Sequence, residues 1–183
     1  MSDNFKVLGV GGAGVNVVKA LGYENSVYID SSHFGSMEGV VDYVNSQVKG
    51  SKVVVVSSPA GQFSSSVLKP VCNALNSNGN RVFFIGIMPF HSESPERKVR
   101  GDMLMRELKK SVEVTSVVEN ENFASSMKEY PWTNVLEKIN EHIDSLVKGI
   151  VSENGKLRAG DDSSASRQVE QTAFQGSVSI SLN

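Results

Sequence analysis

Apolar and polar residues follow two alternating patterns over the first 150 residues, and the alternation predicts strands followed by helices. Short apolar runs, typical of strands buried on both faces, occupy residues 5–10, 27–29, 53–56, 82–88 and 112–118. Apolar residues recur at helical spacing over residues 13–21, 36–48, 67–75, 95–110 and 133–150. We therefore predict an α/β fold: a three-layer, Rossmann-like domain with a mainly parallel sheet of about five strands and helices on both faces.

Two prolines indicate where helices begin. Ser94 and Pro95 form a typical helix start, with the serine as the cap and the proline at the first helical position. Pro70 is best accommodated in the first turn of a helix, because its ring has no N–H to donate further along. We therefore expect the helix that contains Pro70 to begin near Val67.

The composition divides the chain into residues 1–150 and a polar C-terminal tail at residues 151–183. Ser, Gly, Asp, Gln and Arg dominate the tail, which predicts flexibility. Residues 177–182 alternate polar and apolar side chains, as a short strand does. Two interpretations of this segment stay open: a frayed terminus, or a strand that adds to a sheet edge of its own chain or of a partner.

Charge, cysteine usage and hydropathy exclude several classes of protein. The formal net charge of −2 gives no general attraction to nucleic acid or to anionic lipid. Cys72 is the only cysteine, so no disulfide can form within one chain, and a reducing compartment is expected. No N-terminal signal segment and no long apolar stretch occurs in the sequence. We expect a soluble cytoplasmic protein that neither binds nucleic acid nor inserts into a membrane.

A glycine-rich turn follows the first predicted strand. Residues 9–16 read Gly-Val-Gly-Gly-Ala-Gly-Val-Asn, and a helix is predicted to follow them. Phosphate groups bind to backbone N–H groups that no Cβ obstructs, and a helix N-terminus adds positive potential. A tight turn alone needs only one or two glycines, so the sequence favours a phosphate site at Gly11, Gly12, Ala13 and Gly14.

The same glycines are compatible with a dinucleotide. Gly9, Gly11 and Gly14 satisfy the pattern G-x-G-x-x-G, and Asp30 ends the second predicted strand, where an acid binds an adenosine ribose. An NAD-binding Rossmann protein therefore stays open as an alternative. A P-loop is excluded, because no G-K-[ST] follows the glycines.

Two segments resemble FtsZ, the bacterial relative of tubulin. Residues 5–16 are similar to its first phosphate loop, an apolar strand followed by G-V-G-G-G-G-x-N, and Asn16 matches the final Asn. Residues 88–97 resemble the segment P-F-x-F-E-G-x-x-R. The resemblance implies that Glu93 and Arg97 approach the ribose of a bound guanine nucleotide.

Two further segments continue the resemblance in the same order. Residues 107–122 are similar to the helix, strand and P-N-D/E-x-L turn of the family, with its Asn at Asn120. Asn140 and Glu141, followed by residues 148–150, resemble the central helix, in which an Asn and an acid read guanine. A carboxylate suits guanine because N1–H and N2–H₂ are adjacent donors. Taken singly, each of these residues could equally be an ordinary turn or surface residue.

The chain departs from the family at the second phosphate loop. The family sequence G-G-G-T-G-T-G aligns with residues 61–67, of which only Gly61 is retained among the glycines. Ser64, Ser65 and Ser66 supply hydroxyls and lie at an expected helix start, so this loop stays a candidate phosphate site. The family also has a helix and a strand between Asp30 and Lys52 that we do not find. Their loss leaves five strands, in an order that could resemble the flavodoxin type.

The resemblance also limits the activity that we expect. After Ile150 the sequence contains neither the family's N-x-D-x-x-D acids, which position the attacking water, nor its second domain. We expect binding of GTP or GDP, with Mg²⁺ carried by the nucleotide, and little or no hydrolysis. The expected partners are another copy of the chain or a full-length FtsZ/tubulin-like protein. The alternatives are a structural protein without nucleotide and a small NAD-dependent oxidoreductase.

Overall fold

The computed structural model describes residues 5–152, which form five strands and six helices in alternation. The strands are β1 (Phe5–Val10), β2 (Ser26–Ile29), β3 (Lys52–Ser57), β4 (Arg81–Met88) and β5 (Val114–Glu119). The helices are α1 (Gly11–Leu21), α2 (Met37–Gln47), α3 (Gln62–Ser77), α4 (Pro95–Leu108), α5 (Asn120–Ser126) and α6 (Trp132–Ser152). None of these helices has the length and apolarity that crossing a bilayer requires.

The five strands form one sheet in the order β2-β1-β3-β4-β5, and every neighbouring pair is parallel. This is the flavodoxin-type order that the sequence suggested, and the sheet is entirely rather than mainly parallel. In such a sheet all strands end at the same edge. The segments that follow β1, β3, β4 and β5 therefore begin side by side, at the carboxyl edge.

The valines of β3 show how the layers are built. Val53 and Val55 belong to the core beneath α2, α3 and α4, whereas Val54 and Val56 belong to the core beneath α1 and α6. All four side chains are fully buried. Successive side chains of a strand point to opposite faces, so a continuous apolar run is what a central strand with two covered faces requires. The predicted three-layer α/β fold is confirmed.

Helix starts differ from the sequence-based expectations in two places. α3 begins at Gln62 and not near Val67, so Pro70 lies inside the helix and its first-turn placement was wrong. Apart from Phe63, the additional residues are polar, and two of them donate their hydroxyls back to helix carbonyls: Ser65 to Gln62 at 3.0 Å and Ser66 to Phe63 at 2.7 Å. Helix α5 was not predicted. The start of α4, capped by Ser94 with Pro95 in the first turn, is confirmed. The proposed strand at residues 177–182 lies outside the described residues.

Asn80 joins three elements at the amino edge of the sheet. Its Oδ1 accepts a hydrogen bond from the backbone N–H of Ser51 at 2.9 Å, and its Nδ2 donates to the carbonyl of Leu75 at 2.9 Å. The side chain is buried, and it connects the end of α3 with the segments that lead into β3 and β4. A buried amide with both ends paired holds these elements in register.

We predict that Asn80→Ala lowers the free energy of unfolding by about 1–3 kcal/mol, because it leaves the buried N–H of Ser51 without an acceptor. Asn78→Ala is the matched control. Asn78 pairs with Asn45 at the surface, so its loss is expected to cost no more than about 0.5 kcal/mol. Urea unfolding of the two variants measures the difference. Equal decreases in the free energy of unfolding would contradict a stabilising role for the buried Asn80 side chain.

Candidate functional site

The carboxyl edge of the sheet brings together most of the residues that the sequence singled out. Gly11–Gly14 follow β1, Gly61–Ser66 follow β3, Glu93 and Arg97 follow β4, and Asn120 follows β5. These four strands are consecutive neighbours in the sheet. Helix α6 also begins at this edge, because the ring of Trp132 in its first turn packs 4.8 Å from the ring of Phe90, centroid to centroid.

Two glycines of the first loop are required by close packing. A Cβ on Gly14 would overlap the carbonyl oxygen of Val56 in β3 and lie 3.0 Å from its carbonyl carbon. A Cβ on Gly9 would lie 2.7 Å from the carbonyl oxygen of Gly14. Distances under 3 Å cannot be accommodated next to backbone atoms. Gly9 and Gly14 therefore allow α1 to lie directly against β1 and β3.

The other two glycines shape the start of α1. Gly11 has φ +72°, in the left-handed region that favours glycine. Its added Cβ would lie 3.1 Å from the Cβ of Ser64 in the second loop. A Cβ on Gly12, in contrast, would meet no atom within 4 Å. Gly12 and Ala13 are exposed, so the first turn of α1 opens onto free space.

The first N–H groups of α1 have no side-chain cap. Val10 occupies the cap position and accepts no hydrogen bond with its side chain. The first N–H groups of a helix have no partner within the helix, and the helix dipole makes this end attractive to anions. The start of α1 therefore has the properties of a phosphate site. Asn16 lies exposed one turn further along.

Two further helices that begin at the carboxyl edge share this lack of a cap. Neither α3, which follows β3, nor α5, which follows β5, has a side-chain cap. Within residues 5–152, α2 and α4 have one: Ser36 and Ser94 accept hydrogen bonds from the N–H groups of Gly39 and Arg97. A side-chain cap satisfies one of the free donors of a helix. The uncapped starts are thus found after β1, β3 and β5.

The serines of the second loop are engaged with the backbone. Ser64 is buried, and its hydroxyl donates to the carbonyl of Ser58 at 2.5 Å. The hydroxyls of Ser65 and Ser66 donate to carbonyls of their own helix. All three hydroxyl protons are therefore in use. Phosphate binding by this loop stays a prediction. The available donors are the backbone N–H groups that follow Gly61, since the hydroxyls are engaged.

Glu93 and Arg97 form an ion pair at the start of α4. Oε1 of Glu93 also accepts a hydrogen bond from the N–H of Phe90 at 3.0 Å. The carboxylate thus closes the turn after β4 and holds the guanidinium beside it. Both side chains are partly exposed at the edge, where a polar ligand can reach them.

Asn120 carries an unsatisfied polar atom at the end of β5. Its side-chain Oδ1 is buried and has no hydrogen-bond partner among the described residues. The next residue, Glu121, accepts a hydrogen bond from the N–H of His91 at 2.9 Å, which is the main reason that its pKa lies below the usual value. Buried polar atoms are nearly always paired, so the Oδ1 of Asn120 is a candidate acceptor for a donor from another molecule.

Helix α6 places Asn140 and Glu141 differently. Asn140 is half-buried, and one turn later Asp144 accepts a hydrogen bond from Tyr23, just after α1, at 2.5 Å. This side of α6 therefore faces α1. Glu141 lies opposite the buried stripe of the helix, 63% exposed, and pairs with Lys138 at 2.6 Å. The base-reading role that the resemblance implies for Glu141 stays a prediction, and its carboxylate is here engaged with Lys138 at the surface.

Asp30 is engaged within its own turn. Its carboxylate accepts hydrogen bonds from the N–H of Ser32 at 2.8 Å and from the Ser32 hydroxyl, which are the main reasons that its pKa is lowered. Nδ1 of His33 lies 3.0 Å from the same oxygen. The acid that would bind an adenosine ribose thus already has three partners, which weakens the NAD interpretation.

No cluster of three His, Cys, Asp or Glu side chains that could hold a metal ion occurs within residues 5–152. A Mg²⁺ ion that accompanies a nucleotide is held largely by phosphate oxygens and water.

We predict that Gly14→Ala lowers the free energy of unfolding by about 2–4 kcal/mol, because the new methyl group forces α1 away from β3. Gly12→Ala is the matched control: its methyl group points into free space. We expect it to stay within about 0.5 kcal/mol of the unmodified chain. Thermal or urea unfolding of both variants checks this, and a tolerated Gly14→Ala would contradict the close approach.

Comparison with solved structures identifies the architecture. An FtsZ dimer from M. jannaschii, described as empty, matches with a TM-score of 0.68 and 16% identity, over 88% of this chain and 59% of that chain. A mutant FtsZ of the same organism matches with a TM-score of 0.67 and 17% identity, over 86% and 58% of the two chains. No family model and no curated protein matches the sequence.

The chain therefore spans less than two thirds of the length of these FtsZ structures. Identities this low relate folds rather than activities. The resemblance noted in four sequence segments and the structural match agree on one point: this chain has an FtsZ/tubulin-like fold.

Proposed function

We propose that this protein binds a guanine nucleotide, GTP or GDP, at the carboxyl edge of its sheet, and that it works as an FtsZ/tubulin-like binding or assembly protein. One observation carries the proposal. The uncapped, open start of α1 and the unpartnered Oδ1 of Asn120 lie on the same edge of an FtsZ-like fold.

The phosphate would bind at the first turn of α1. Its N–H groups have no side-chain acceptor, and the space in front of Gly12 is open. The hydroxyl protons of the second loop are in use, so fewer groups are available for a triphosphate than in the family pattern. GDP is accordingly easier to accommodate than GTP.

The sugar and the base would lie along the edge, towards β4 and β5. Three strand spacings separate β1 from β5, roughly 14 Å, which is a distance that a mononucleotide can span. The Oδ1 of Asn120 would accept a hydrogen bond from the ligand, and the Glu93–Arg97 pair would flank the ribose. Asn140, on the side of α6 that faces α1, would contact the base. The choice of guanine comes from the FtsZ resemblance.

Weak or no hydrolysis is part of the proposal. Phosphoryl transfer to water needs a positioned nucleophile and stabilised charge. The acids that the resemblance would require for this do not follow Ile150 in the sequence. We propose assembly with another copy or with a full-length FtsZ-like protein as the role of the bound nucleotide, since one of the similar structures is an FtsZ dimer.

Calorimetric titration with GDP, GTP, ATP and NAD tests the proposal. We predict that GDP binds more tightly than ATP or NAD.

Gly12→Val should abolish binding, because its side chain would occupy the phosphate space. Asn120→Ala should weaken binding about tenfold, the equivalent of one hydrogen bond of about 1.4 kcal/mol.

Two variants of α6 serve as an internal comparison. Asn140→Ala should weaken GDP binding, whereas Glu141→Ala should leave it unchanged, since its carboxylate faces solvent. A loss of guanine selectivity in Glu141→Ala would support the role that the resemblance implies for this acid. If none of the four ligands binds, the proposal is contradicted. The remaining alternative is then a structural protein that binds no nucleotide, an interpretation that the altered second loop favours.

A further inference from the structure

Helix α4 exposes two large apolar side chains in the middle of its solvent face. Val99 is 57% exposed and Met103 is 62% exposed, and they lie one turn apart. The opposite face of the same helix is firmly packed: Met105 and Leu108 are buried, and a Cβ on Gly101 would lie 3.3 Å from the Cβ of Ala60. The exposure of Val99 and Met103 therefore belongs to a well-anchored helix.

Two charged residues extend this apolar pair into a regular stripe. Glu96, Val99, Met103 and Arg106 follow one another at spacings of three, four and three residues, and all four are exposed. This is the spacing of the a and d positions of a heptad, which line the contact between two paired helices. We call these four residues the α4 seam.

We propose that the α4 seam binds the α4 seam of a second copy of this chain, with the two helices antiparallel about a two-fold axis. The axis would pass midway between Val99 and Met103. Val99 then lies against Met103 of the second copy, and Glu96 lies against Arg106 of the second copy. Each contact occurs twice, as a two-fold interface requires.

The charges of the seam select this arrangement. In an antiparallel pair, an acid at one end of the seam meets a base at the other end, twice. A parallel pair would place Glu96 against Glu96 and Arg106 against Arg106, and such like-charge contacts disfavour association. The sequence of the seam is therefore complementary to itself in one orientation.

Two neighbouring charges of α4 are paired outside the seam. Glu107 is paired with Lys69 at 2.6 Å, and Arg97 is paired with Glu93. Arg106 makes no ion pair with any residue of the described part of the chain. Its guanidinium is thus available to a carboxylate of another molecule.

The size of the seam sets the expected strength. The 14 residues of α4 span about 21 Å at 1.5 Å per residue, and a single pair of such helices buries less than the ~1,000 Å² of a stable interface. We therefore expect a weak dimer whose population rises with concentration. The dimer fraction should also be higher where many copies are held close together.

Sedimentation analysis of the full chain over a concentration series tests the proposal. The unmodified chain should show a reversible monomer–dimer equilibrium. E96R and R106E should each raise the dissociation constant about tenfold or more, because each places like charges at both ends of the seam. An equimolar mixture of the two variants should dimerise again, since every end then pairs an acid with a base.

Controls separate the seam from general effects of charge. E38R replaces the corresponding first-turn acid of α2 and should leave the dimer unchanged. M103D should weaken association in the unmodified background. A chain that stays monomeric throughout, single variants that associate normally, or a mixture that stays monomeric would each overturn the proposal. GDP titration of E96R and R106E should be unaffected, so a failure of the nucleotide site is distinguishable.

Discussion

The close approach of α1 to β3 is the constraint on which the candidate site depends. Residue 14 has no room for a side chain, because the carbonyl of Val56 occupies its place. A helix held this near the sheet must leave β1 by a sharp turn, which Gly11 provides with its positive φ. The first N–H groups of α1 then point beyond the strand ends, and Gly12 keeps that space open. The packing of one helix thus accounts for the glycine pattern and for the open, uncapped start of α1 that we propose as the phosphate site.

Much of the fold could be predicted from sequence, because buried parallel strands are continuous apolar runs and β3 and β4 are such runs. Helix starts were harder. The first turn of α3 is mostly polar, so apolar periodicity does not mark its start. The hydroxyls of Ser65 and Ser66 donate to helix carbonyls there. α5 has only seven residues, too few for a period. In the site, the glycine loop was predictable, but the separate roles of Gly12 and Gly14 were not. They depend on Val56, more than 40 residues away.

The second loop shows how a family pattern can change while the fold is kept. In the alignment with the family pattern, Ser64 stands where the family has a Thr, and the lost glycines are at residues 62, 63, 65 and 67. The buried hydroxyl of Ser64 donates to the carbonyl of Ser58, and its Cβ lies close to Gly11. Ser64 therefore hydrogen-bonds within the second loop and lies against the first loop. A buried hydroxyl bonded to a carbonyl is costly to release. The hydroxyl protons of this loop are in use, so our proposal places phosphate recognition at the start of α1.

The exposed faces of α6 and α4 differ in polarity. Lys138 pairs with Glu141 on the side that is turned away from the sheet, and Lys148 pairs at 2.5 Å with Asp144, which also accepts a hydrogen bond from Tyr23. Exposed ion pairs of this kind contribute little to stability, but they keep a helix face hydrated. The large apolar side chains that are exposed within residues 5–152 lie on α4, around the start of α6, at the start of α2 and on β5: Val99, Met103, Tyr130, Trp132, Leu136, Met37 and Val117. The outward side of α6, with the Lys138–Glu141 pair, is polar and solvated. α4 packs on the sheet with one side and exposes the α4 seam on the other.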